Sequence, residues 1–169
     1  MNREPIKILG DILKNCMVLT DQQIFIYNQD FKLPETSGLF IILQYNNSTN
    51  YSSTNTFIPA DEGEEGGQEC IAMNAKEEYT INIISKNDEA RQRKEEVIMS
   101  LNSNFSKDQQ GLYQFQIAQI SSSFVNVSEL EGAGMLNRYA INISLLAHYS
   151  KTMDTTYYDN NFISEIDTD

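Results

Sequence analysis

The sequence predicts an α+β fold. The expected architecture is a single domain with a mixed or mainly antiparallel sheet, two helices packed on one face, and a long inserted loop or hairpin arm. Three observations carry this expectation. Two segments, one near the start and one after Asn87, space their apolar residues as helix faces do. Several others alternate apolar and polar residues, the pattern of a half-buried strand. Runs of strands with two helices inserted fit α+β better than a doubly wound α/β order. The 169 residues suit one domain over 1–169.

In chain order, Ile6, Leu9, Ile12, Leu13, Cys16 and Leu19 recur at spacings of three and four, and Pro5 suits the first turn of a helix. Ile24-Phe25-Ile26-Tyr27 reads as a short strand. Leu39 to Tyr45 is apolar on both sides, as expected of a central strand covered on both faces. Residues 46–70 break the pattern: Asn46 to Asn55 is almost all Asn, Ser and Thr, and Asp61 to Glu69 is acidic and glycine-rich. No apolar periodicity survives there, so the segment is either a mobile loop or an extended hairpin arm. From Ile71 to Ser85 alternation returns, with Tyr79, Ile81 and Ile83 on one face. Asn87 or Asp88 caps a helix running to Leu101, with Ala90, Val97, Ile98 and Leu101 as its apolar side. Asn102-Ser103-Asn104 opens a polar loop, and Leu112 to Ile120 reads as a strand. Ser121 to Leu136 reads as irregular. Tyr139 to Ser150 is the clearest strand, long for a globular domain. Residues 155–169 supply one more edge segment and an acidic tail.

Twenty-four acidic residues against twelve basic give a formal net charge of −12. Such a surface is repelled by phosphate backbones and anionic lipids, which disfavours direct binding of nucleic acid or membranes. The longest apolar run, Leu39 to Leu43, is far too short to span a bilayer, and the first residues lack an apolar signal region, so a cytoplasm is the expected place of synthesis. Cys16 and Cys70 have no metal-ligand spacing and read as small buried hydrophobes.

The search for chemistry points to no enzyme and no cofactor. His148, the only histidine, has no Cys, Asp or second His at ligand spacing. No nucleophile-elbow motif accompanies the serines. Gly63 to Gly67 lacks the Lys-Ser/Thr ending of a phosphate loop, and its flanking glutamates oppose an anion. Asp61, Glu62, Glu64, Glu65 and Glu69 do not follow calcium-loop spacing, so no metal site is expected. Four of the twelve basic residues fall between Lys86 and Lys94. Lys86, Arg91, Arg93 and Lys94 form either a solvated helix face or a basic stripe that meets an acidic patch on a neighbouring copy.

Three stretches carry a likeness to a known family. Gly66-Gly67-Gln68-Glu69 leads into Glu78-Tyr79-Thr80-Ile81-Asn82-Ile83. Asn87-Asp88-Glu89-Ala90-Arg91 opens a helix. Asn137-Arg138-Tyr139-Ala140-Ile141-Asn142-Ile143 is followed by Tyr157-Tyr158-Asp159. Over residues 36–166 this arrangement resembles the tail terminator or neck (head–tail completion) proteins of tailed bacteriophages. The resemblance implies a virion structural protein without catalysis, assembled in the host cytoplasm. It would form a homo-oligomeric ring, often sixfold, at the neck–tail junction, with the tail tube protein and the neck connector as partners and DNA only passing through the lumen. It also makes Arg138, Tyr139, Tyr157 and Tyr158 candidate interface residues, beside the acidic arm and the basic helix. The chain departs from the family in its long insertion before Gly67. Rival readings are another head–tail connector or a tube subunit and, from a different class, an acidic inhibitor or nucleic-acid mimic that binds a host protein.

Overall fold

Pro5 starts the first helix, α1 (Pro5–Met17), which buries Ile8, Leu9, Ile12, Leu13 and Met17 along one stripe. The helix stops where Val18 turns left-handed at φ 55°, and the Leu19 N–H returns to the Lys14 carbonyl at 2.9 Å. The structure is a computed structural model that describes residues 4–27, 37–59, 66–131 and 134–155.

The strands are β1 (Ile24–Ile26), β2 (Phe40–Pro59), β3 (Gly67–Ser85), β4 (Phe115–Ile120), β5 (Val125–Asn126), β6 (Glu129–Glu131) and β7 (Gly134–Thr155). They lie in the order β1-β2-β3-β7-β4, and β5 and β6 also pair with β7. Among the described residues, β1 and β2 pair in parallel and the other pairs are antiparallel. The sheet is therefore mixed and mainly antiparallel, as expected.

Two further helices, α2 (Glu89–Leu101) and α3 (Asn104–Tyr113), connect β3 to β4. The Asn87 side chain receives the Glu89 N–H at 2.9 Å, and the Ser85 hydroxyl receives the Ala90 N–H at 2.9 Å. The start of α2 is thus capped from the end of β3. One core joins α1 and α2 to the sheet: Leu9, Leu13, Val97 and Leu101 pack with Ile41, Leu43, Ile81, Ile83, Ile141 and Ile143. Both expected helices lie on this face. Among the described residues, the opposite face holds a small apolar cluster of Ile42, Ile84 and Leu136 with Phe25 against it, so β2 is covered on both faces at its core end.

Three sequence expectations need correction. Residues 104–113 are a helix rather than a polar loop leading into a strand at Leu112. The Ser103 hydroxyl caps it, accepting the Ser106 N–H at 3.1 Å, and Gln114 at φ 54° ends it before β4 begins. The apparent alternation of Tyr113, Phe115 and Ile117 runs across that left-handed break. Ser121 to Leu136 is not wholly irregular, because β5 and β6 pair with β7 there. Finally, β7 is a strand of 22 residues, longer at both ends than 139–150. The expected edge segment and acidic tail beyond Thr155 lie outside the described residues.

Candidate assembly interface

The segment read as a loop or an arm is a hairpin arm. Past the core, β2 runs on to Pro59, β3 returns from Gly67, and the two pair as far as Pro59↔Gly67. The arm has a third strand that the sequence reading did not give it: β7 follows β3 outward to Gly67↔Thr155. From Tyr45 to Thr56 every residue of β2 is exposed. A blade wet on both faces needs no apolar alternation, which is why the segment carries no strand period. Instead Asn, Ser and Thr side chains bond across the strands. Asn74 donates to the Ser52 hydroxyl at 2.8 Å, Gln68 donates to Asp154 at 3.1 Å, and Asn55 donates to Glu69.

The arm has two unlike long edges. β1 ends its pairing with β2 at Ile26↔Leu43, and among the described residues no strand continues along the outer edge of β2 from Asn46 to Thr56. β4 ends its pairing with β7 at Phe115↔Ala147, and no described strand continues along β7 from Tyr149 to Asp154. The β2 stretch from Asn46 to Thr56 carries no charge and no proline, the usual devices that keep an edge strand from pairing. It does carry irregularities at Tyr45/Asn47 and Asn50/Ser52, which twist it locally.

A buried carboxylate anchors the arm to the body. Glu77 is 6% exposed and accepts the hydroxyls of Tyr79, two residues along β3, and of Tyr149 on β7. Burial, and then the bond to the Glu77 carboxylate, push both phenols well above their usual range. Tyr45 on β2 sets its ring edge-on to Tyr79, with 5.6 Å between centroids, so all three strands of the blade meet at this point.

The candidate residues fall into several places. Glu69 lies in the arm on β3, while Asp61, Glu62, Glu64, Glu65, Tyr157 and Tyr158 lie outside the described residues. Arg91 is the most exposed of the basic trio and reaches Asp88 at 3.5 Å. Arg93 instead bonds Glu96 at 2.7 Å, Glu89 at 3.3 Å and the Met17 carbonyl of α1 at 2.8 Å. The Glu96 carboxylate, working against burial, raises its guanidinium further. Lys94 pairs with Glu95 and lies over the rings of Phe124 and Tyr139, 5.6 and 5.7 Å from their centroids. The trio therefore does not form one free basic stripe. Arg138 and Tyr139 are neighbours in β7 but work on opposite faces: Tyr139 belongs to the helix-side core, while Arg138 bonds Asn82 Oδ1 through Nε at 3.2 Å and Nη2 at 3.1 Å. The sequence reading missed Glu77, whose only signal is a glutamate standing in phase with the apolar face of Tyr79, Ile81 and Ile83.

Other chemistry is sparse. His148 Nδ1 lies 2.9 Å from the Asn74 side-chain oxygen. Cys16 and Cys70 are free thiols. Among the described residues, no three His, Cys, Asp or Glu side chains gather where a metal could be held, and no helix is long and apolar enough to cross a membrane. The fold and arm define a class: an α+β domain with a projecting three-stranded blade. No family model matches the chain, and no curated protein matches it in sequence.

Proposed function

We propose that this chain is a structural subunit of a tailed-phage virion, whose copies close into a ring that ends the tail tube and joins it to the neck. The observation that carries this reading is the blade with two unlike long edges. A closed ring needs heterologous contacts, in which one surface of a copy meets a different surface of the next. The edges of β2 and β7 answer that need, because main-chain pairing gives affinity without a deep pocket. Each is antiparallel to β3, so both run from body to tip. Blades that point the same way would join β2 to the next copy's β7 as a parallel pair. The likeness of residues 36–166 to tail terminators supports the same reading, and the net charge of −12 would keep passing DNA from adhering to a lumen.

The test is native mass and negative-stain imaging of the purified chain, alone and with tail tubes. A closed ring with a central hole, seated at tube ends, is expected. Open fibres would favour the tube-subunit reading, and a chain that stays monomeric with tubes present would overturn the proposal.

A further inference from the structure

The face of the sheet away from the helices holds a cleft of about 390 Å³, within the range of small-molecule sites. Three strands give it carboxamides: Asn46 from β2, Gln119 from β4 and Asn142 from β7. A relay links two of them, in which Asn46 donates to the Thr80 hydroxyl at 2.9 Å and Thr80 donates to Asn142 Oδ1 at 2.7 Å. The relay leaves Asn46 Oδ1 and the Asn142 amide N–H groups as an outward acceptor and donor pair. At one wall Lys76 and Glu78 stand 3.6 Å apart and cancel in charge.

Ser144 also lines the cleft. It is 6% exposed, and its Oγ is the one buried side-chain polar atom without a hydrogen-bond partner among the described residues. Buried hydroxyls are nearly always bonded, so this one calls for a group that the chain itself does not supply. The larger cleft beside β4 and α3 has no comparable orphan atom.

We propose that this cleft binds a neutral polyhydroxyl ligand, a single sugar unit of a glycan. Each sugar hydroxyl both donates and accepts, and the carboxamides and serine hydroxyls do the same. A phosphate or carboxylate would meet Glu78 without a net positive field. A peptide side chain would find little apolar wall to enter. The cleft lacks an aromatic platform, because the Tyr79 ring belongs to the opposite face. Affinity therefore rests on hydrogen bonds, and a dissociation constant of about 1 mM is expected. The inference does not depend on ring assembly.

The experiment titrates the isotope-labelled full chain with glucose, galactose and N-acetylglucosamine, using glycerol as a control. The expected result is saturable amide shifts at Asn46, Thr80, Asn142 and Ser144 with at least one sugar. Asn46→Ala, at an exposed position, should weaken binding about tenfold. Ser144→Ala should raise the melting temperature of the free chain, since it removes an unbonded buried hydroxyl, yet lose most of the sugar response. No saturable shift with any of the sugars would overturn the proposal. So would shifts that glycerol reproduces, or shifts unchanged in Asn46→Ala.

Discussion

The guanidinium of Arg93 on α2 donates to the carbonyl of Met17 at the end of α1, with Nη2 and O 2.8 Å apart. A cation there meets the negative end of the helix dipole and satisfies an otherwise orphaned carbonyl. Arg93→Ala should lower stability by about 1–2 kcal/mol, allowing for partial screening, and Arg93→Lys should recover only part of it because the planar fork is lost. Denaturant unfolding checks both variants.

Arg91 tests the basic-helix idea more cleanly than its neighbours. Reversing all three charges would damage the contacts of Arg93 and Lys94 within the chain. Arg91→Glu should leave the melting temperature nearly unchanged, as an exposed site does, while weakening ring formation in a salt-dependent way. Rings that form equally well in Arg91→Glu at low salt would remove this helix from the interface.

The Glu77 clamp has an alkaline signature. Both phenols are raised above the ordinary value of 10, so the folded state holds their protons more tightly than the unfolded chain does. Their contribution is complete below pH 10 and is lost progressively as pH rises above it. Melting temperature should fall through that window while tyrosinate absorbance rises as the phenols are released and ionise. Tyr79→Phe should flatten the dependence and cost about 1–3 kcal/mol at neutral pH by stripping one partner from a buried carboxylate. A fall equally steep in a Tyr79→Phe/Tyr149→Phe double variant would exclude the clamp as its cause.

At the tip, a Cβ on Gly67 would lie 2.5 Å from Phe57 Cζ and 2.6 Å from the Ile58 carbonyl oxygen. Gly67→Ala must therefore push strand β2 away. Hydrogen exchange should quicken at the outer arm amides while Ile81 and Ile141 stay protected. Uniform protection throughout would mean that Phe57 yields alone.

These experiments also mark where the sequence was readable. Burial patterns wrote α1, β1 and the core halves of β2, β3 and β7 plainly, because Ile12, Leu43, Ile81 and Ile141 each sit on a face that water does not reach. The outer arm was open between loop and hairpin, since Asn50, Ser53 and Thr54 are exposed and leave no apolar period. Helix α3 escaped because Ser106 is its one buried residue and Gln114, rather than a glycine or asparagine, takes the left-handed cap. The Ser103 cap was the available clue. The roles of Arg93 and Lys94 were hidden because a charge run does not reveal which of its members turn inward.

Strand β7 is continuous from beside the helices to the blade's end, 22 residues or about 70 Å of extended chain. A pull along the blade would load the β3–β7 ladder in shear, with its hydrogen bonds sharing the force along their length. A sideways pull would open the same bonds one at a time, like a zip. The blade is consequently a directional lever: stiff under axial tension, compliant to bending, and rooted at the three tyrosines and the carboxylate where the helical layer ends.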